Sequence, residues 1–189
     1  MTKIDLSETV NEYLDNWKEE YVQKDDSLEL LFNKTFRLNT DIKEVLIKVS
    51  ALNSFYSTNI FDLVSVANHI TKLNIDRHLE TGDLDIVGQI ASVKMNNGKI
   101  RFFYSFATKY CSFHNPDAYA IYDSYVVKAL KHYRNEDKFA KFNDTNLKNY
   151  RNFIDVILKF KSFYGLNEFS LKQIDMFLWQ AGKEGKYGI

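Results

Sequence analysis

Apolar residues along this chain recur three and four positions apart, the spacing of one face of an α-helix. Val10, Tyr13, Leu14 and Trp17 share such a face, and Ser7 before them can cap a first helix reaching about Tyr21. Lys24–Ser27 reads as a turn, and Leu28–Phe36 is ambiguous. Thr40 is the expected N-cap of a helix that turns Ile42, Val45, Leu46, Val49 and Leu52 inward, with a break at Asn53–Thr58. Ile60, Leu63, Val64, Ala67 and Ile70 predict the next helix, and Asp83 or Asp85 caps a short one through Ala91. Asn96-Asn97-Gly98 is a turn signal. A helix is expected over Arg101–His114, with Phe102, Phe103, Phe106, Tyr110 and Phe113 as its apolar stripe. Ser105, Lys109 and Ser112 follow one another by four and three and share a polar stripe on it. Asn115-Pro116-Asp117 ends that helix, and Asp123 starts another through His132. Asp144 or Thr145 caps a long helix with Leu147, Tyr150, Ile154, Ile157 and Leu158 inward, closed by Gly165. Ser170 with Gln173 forms a capping box for a last helix that buries Ile174, Phe177 and Leu178.

The pattern contains no strand signal and no repeat, so the fold class expected is all-α. The 189 residues fit one helical domain, with possible lobes formed by 1–40 plus 134–189 and by 41–133. One proline among 189 residues is consistent with helices joined by short turns. Cys111 is the only cysteine, which excludes an internal disulfide and any multi-cysteine zinc or iron–sulfur centre. His69, His78, His114 and His132 lack metal-ligand spacing, so neither a metal nor another cofactor is expected. No apolar run reaches the length of a membrane span, and the polar N-terminus does not read as a signal peptide. A monomer in the reducing cytoplasm, without a membrane partner, is the expectation.

Charge changes the picture more than composition does. Residues 1–93 hold 16 acidic and 9 basic side chains, net −7, while residues 94–189 hold the reverse, net +7. Such asymmetry points to a polyanion on the basic half, or to two ordinary solvated faces.

The most informative segment is Ala120-Ile121-Tyr122-Asp123-Ser124-Tyr125-Val126. It delivers one aspartate to a helix start after a helix–Asn-Pro break. In this it resembles the helix-hairpin-helix DNA glycosylase superfamily, where a Pro-Ile-Leu/Val-Asp connection places a catalytic aspartate at a helix start. Alanine stands here where proline is usual. Leu52-Asn53-Ser54-Phe55-Tyr56-Ser57-Thr58-Asn59-Ile60 is similar to the family's polar turn, which helps fill the gap left by a flipped base. The two matches span about the middle half of the chain. The place of the family's glycine-rich hairpin is held by Met95-Asn96-Asn97-Gly98-Lys99-Ile100-Arg101, with one glycine.

The resemblance implies a two-lobed helical fold and a double-stranded DNA partner. It implies hydrolysis of the N-glycosidic bond of a damaged or modified base, in repair or in defence against phage with modified DNA. The alternative is a non-catalytic DNA-binding or protein-interaction module on the same scaffold. Asp123 and Lys109 are the candidate catalytic residues. The lysine nucleophile of bifunctional members falls near Tyr104 or Ser105, and Lys109 lies one turn later, so a monofunctional enzyme is expected. Asn53, Tyr56, Ser57, Asn59, Lys99, Arg101, Ser124 and Tyr125 are the candidate DNA contacts, and Tyr104, Ser105 and Tyr122 the base pocket. The chemistry is coherent on its own terms. Cleaving an N-glycosidic bond builds positive charge on the sugar, which a fixed carboxylate stabilises. The base must first leave the stack, which calls for polar and aromatic side chains around it. The plainer readings are that Asp123 is an N-cap, Lys109 a solvated helix lysine and His114 a helix-end residue.

Overall fold

A computed structural model describes residues 5–188. The chain is mostly helical, and it divides into two units. One unit is Met1–Trp17 with Ala120–Ile189, and the other is Lys18–Tyr119. The division therefore falls at Trp17 and Tyr119, not near Thr40 and Tyr133 as the lobes read from sequence had it.

The Lys18–Tyr119 unit begins with α2 (Glu19–Glu29), which runs through the expected Lys24–Ser27 turn without a break. It passes directly into a π-helical segment, Leu30–Thr35. Helix α3 (Ile42–Tyr56) starts at Asp41, not Thr40, because the Asp41 carboxylate accepts the Lys43 amide at 2.7 Å. Helix α4 (Leu63–Leu73) begins later than expected, after Ile60, with the Asp62 side chain capping Ser65 N at 3.0 Å. A short α5 (Asp76–Thr81) follows, which the periodicity did not predict, and then α6 (Asp85–Ala91).

The expectation of no strand is corrected here. Ser92–Lys94 (β1) and Ile100–Phe102 (β2) pair antiparallel, with Val93 opposite Arg101. Helix α7 (Tyr104–His114) therefore starts three residues inside the helix expected from Arg101. The reason is the turn: Gly98 takes φ +77° and donates its amide to Met95 O at 2.9 Å, while Lys99 O accepts the Met95 amide. That closes the ladder before the apolar stripe can wind into a helix. Phe32, Val45, Val49, Leu52, Ile70, Phe106 and Tyr110 lie in the core of this unit.

The other unit contains α1 (Ser7–Asp15), shorter than expected because the Asn16 side chain turns back to Glu12 O at 2.7 Å. Helix α8 (Ser124–Asp137) extends past His132 to Lys138, which takes φ +56°. The long helix expected from Asp144 is two pieces, α9 (Asp144–Leu147) and α10 (Tyr150–Phe163). Asn143 and Asn149 each cap the start of one, and side-chain amides that bond the third residue onward reset the helix twice in six residues. Leu158, expected inward, is half exposed. The last helix, α11 (Leu171–Glu184), has the predicted Ser170–Gln173 capping box. Tyr133, Phe160, Tyr164 and Phe177 form the aromatic centre, with Tyr133 and Phe160 rings 5.1 Å apart edge to face. Among the described residues no helix is long and apolar enough to cross a membrane.

Candidate nucleic-acid interface and carboxylate site

In the unit that holds Asp123, the approach to α8 is tied down by buried backbone. Ala120 and Ile121 are buried, and the Tyr150 hydroxyl donates to Ala120 O at 2.8 Å. Tyr122 lies edge-on to Phe153 at 5.5 Å, and burial raises its hydroxyl pKa, with Asp144 adding to the shift. Asp123 is extended (φ −134°, ψ 155°), and its Oδ1 accepts the Tyr125 amide at 2.9 Å. The carboxylate is thus the N-cap of a 14-residue helix, where the helix dipole favours an anion. The first turn of α8 is held against α11 at Gly182, where a Cβ would come within 2.0 Å of Tyr125 O. Lys128 Nζ donates to Gly182 O at 2.9 Å on the same crossing. Ser124 and Tyr125 are exposed, and the Tyr125 ring meets Trp179 edge-on at 5.8 Å.

The remaining candidates belong to the Lys18–Tyr119 unit. Asn53 organises the turn it opens: its Oδ1 accepts Thr58 Oγ1 at 2.7 Å and Ile60 N at 3.0 Å, and its Nδ2 donates to Ile60 O. These three bonds hold the Asn53 side chain to its own turn. Ser57 (φ 48°) and Asn59 (φ 58°) are exposed on that turn in the left-handed region. Lys99 and Arg101 are exposed on the β-hairpin, and Tyr104 stacks on Phe102 at 5.7 Å.

Lys109, Ser105 and Tyr56 are brought together. Lys109 is buried, so it is not a solvated helix lysine. Its Nζ donates to Ser105 Oγ at 2.7 Å and lies 5.4 Å from the centre of the Tyr56 ring. The Tyr56 hydroxyl donates to Asp25 at 2.9 Å.

Two features of this unit escaped the sequence reading. The first is Lys48, fully buried, whose ammonium donates to Phe36 O and Leu38 O at 3.0 Å and to Asn39 Oδ1 at 2.7 Å. Burial lowers its pKa to about 8, partly offset by Asp76 and Glu44. His114 Nε2 lies 3.4 Å away, and burial with the Lys48 charge lowers the imidazole pKa to about 3. Asp76 accepts from Asn39 N and Nδ2, so the segment after the π-helix is pinned from both sides. The available signal was position: Lys48 falls on the stripe of Val45, Val49 and Leu52, where a charge needs partners. The second is Phe61, 97% exposed, between Ile60 and Asp62, which are both hydrogen-bonded.

Residues 9–118 match the family HI_0787_N, described as an N-terminal domain. The chain belongs to this family. The HI_0787_N match takes in nearly all of the Lys18–Tyr119 unit and stops before Asp123. An uncharacterized protein of Haemophilus influenzae is 44% identical over 147 residues, 77% of this chain and 70% of that protein. No solved structure matches.

Proposed function

We propose that this chain is a DNA glycosylase that hydrolyses the N-glycosidic bond of a damaged or modified base, with Asp123 as its central carboxylate. The observation that carries this is the placement of Asp123: a side chain with limited freedom, capping a helix whose first turn is clamped by Gly182. A carboxylate fixed in this way needs little reorganisation as positive charge develops on the sugar. In the reaction the bond from C1′ to the base nitrogen breaks, a water oxygen bonds to C1′, and the base leaves with the proton that water gives up. The exposed cations Lys99 and Arg101 serve phosphate contacts. The likeness to helix-hairpin-helix glycosylases, a monomeric state, cytoplasmic work on double-stranded DNA, and a role in repair or phage defence belong to the same reading.

The test is mass spectrometry of bases freed from a panel of modified DNAs, with Asp123→Asn beside the parent. Asparagine caps about as well as aspartate, so stability should fall by under about 1 kcal/mol. Excision should fall about a hundredfold or more, the scale of losing one preorganised electrostatic group. Parent-rate excision by a folded Asp123→Asn protein would leave Asp123 a helix cap and nothing more. Borohydride should trap no covalent adduct with DNA; trapping that disappears in Lys109→Gln would make the enzyme a lysine-nucleophile lyase.

A second reading is a DNA-binding or protein-interaction module without chemistry. It is favoured by one observation: a β-hairpin stands where the resemblance calls for a helical one. DNA binding without base release would select it.

A further inference from the structure

Helix α3 carries two apolar stripes. Val45, Val49 and Leu52 are fully buried in the core of the Lys18–Tyr119 unit. Ile47, Ala51 and Phe55 follow one another by four and share a second face. That face is left open, with Ile47 47% and Phe55 40% exposed. A helix with one buried face normally keeps polar residues at such positions. The wall opposite repeats the pattern. Leu28 and Phe32 are fully buried, while Leu30, the first residue of the π-helical segment, is 55% exposed. Between the two walls lies a groove of about 240 Å³, lined by Leu30 and Leu31 on one side and by Ala51 and Phe55 on the other. Leu30–Thr35 is π-helical, a geometry found mostly as single turns and frequently at functional sites. Apolar side chains scattered singly over a surface are ordinary, but a group of them around one groove marks a place of contact.

The charge around the groove says what fills it. Helix α2 carries Glu19, Glu20, Asp25, Asp26 and Glu29 against Lys24. Asp26 adjoins the lining residue Ser27 and stands one turn before Leu30. Asp26 and Glu29 are exposed, and among the described residues neither carboxylate has a hydrogen-bond or ion-pair partner. Lys34 adjoins Thr35, another lining residue, so the acidic side of the rim is the α2 side. Such a rim repels nucleic acid and anionic membrane surfaces and attracts a cation. An apolar groove between two helical walls takes the apolar face of an amphipathic helix. From Ile47 to Phe55 the stripe runs about 12 Å, a little over two turns, which matches apolar anchors spread over two turns of a partner helix.

We infer that the groove between α2 with its π-helical extension and α3 is a docking site for a basic amphipathic helix of another protein. The partner's apolar face seats between Leu30 and Phe55, and its cations lie along α2. The inference stands on this unit alone and does not depend on Asp123 or on DNA.

The experiment uses the full chain and a panel of fluorescein-labelled helical peptides of about four turns, each with leucines at varied spacing on one face and lysines and arginines elsewhere. One control peptide scrambles the leucine positions, and another carries glutamate in place of the cations. Binding is read by anisotropy, and its location by amide NMR shifts. At least one cationic peptide should bind about tenfold or more tighter than both controls, weaken as salt rises, and shift the amides of Leu31, Ala51 and Phe55. Leu30→Ser with Phe55→Ser should weaken that binding about tenfold or more. Asp26→Lys with Glu29→Lys leaves the lining untouched and should weaken binding at low salt while flattening its salt dependence. Circular dichroism checks that both variants fold, and the charge-reversed pair keeps the test decisive if the serine pair does not. Equally tight binding of the scrambled peptide, shifts that fall outside the groove, or full affinity in either folded variant would overturn the inference. So would a panel in which no peptide binds. Self-association of the chain that is lost in Leu30→Ser with Phe55→Ser would give the groove to a second copy instead.

Discussion

The middle of α3 and the turn that follows it treat side chains in opposite ways. Lys48, in its middle turn, puts an ammonium group inside the unit, while the turn that follows Tyr56 leaves the Phe61 ring in water. Hydrophobicity alone would have placed both the other way round. The difference lies in what the neighbouring backbone offers. Around Lys48, the chain leaving the π-helix presents two carbonyls and the Asn39 amide oxygen within hydrogen-bond distance, and these replace the water the ammonium gives up. Around Phe61, Asn53 and Ser65 fix the backbone on either side, and no apolar partner closes over the ring. Burial follows the partners that the backbone supplies, and at Phe61 the backbone is spent on presentation.

The sharpest way to break this comparison is at Lys48. Lys48→Ala removes the ammonium from three acceptors and the stem from the core, and should cost about 3 kcal/mol or more, read as a lowered urea midpoint. Loss of under about 1 kcal/mol would mean that the carbonyls find water and that the buried charge is incidental. Next comes pH. His114 has a folded pKa of about 3 against an ordinary 6.5, so between these values the unfolded chain binds the extra proton. Stability should therefore fall as pH drops from about 6.5 towards 3, by at most about 1.4 kcal/mol per unit from this group. Denaturation midpoints at stepped pH check it, and His114→Asn should lack that limb.

The turn after the helix should respond more mildly. Asn53→Ala releases three hydrogen bonds within the turn and should cost about 1–2 kcal/mol, with amide exchange at Thr58 and Ile60 rising first. Smallest of all, Phe61→Ser should leave stability within about 0.5 kcal/mol of the parent, because the ring touches almost nothing. A clear loss of stability in Phe61→Ser would show that the ring packs in solution.

Much of the local architecture was legible from residues alone. The Ser170–Gln173 capping box comes from side chains bonding within four residues, so the signal and its cause lie in the same window. Asp123 as the start of α8 was read in the same way. The readings that shifted are those where two local signals competed. Phe102 and Phe103 continue the apolar stripe of α7, but the Gly98 turn captures Ile100–Phe102 in a ladder first. Asn143 and Asn149 both cap, and the second interrupts the helix begun by the first. In the Lys18–Tyr119 unit, α2 continues through Lys24–Ser27 because no glycine or proline stops it, whatever its polarity suggests.

By itself the sequence determined that this chain is mostly helical and that α8 and α11 start at Asp123 and Ser170, because period and capping act over a few residues. Membership of the HI_0787_N family is likewise a property of the sequence. Tertiary structure alone decided that Lys109 leaves solvent to meet Ser105 and Tyr56, that Lys48 gathers Phe36, Leu38, Asn39 and His114, and that Phe61 stays outside. These outcomes depend on groups tens of residues apart, such as Asn39 with Asp76 and Asp62 with Asn96. Desolvation of a charge and exposure of a ring are properties of what surrounds them, and that environment exists only once the chain has closed on itself.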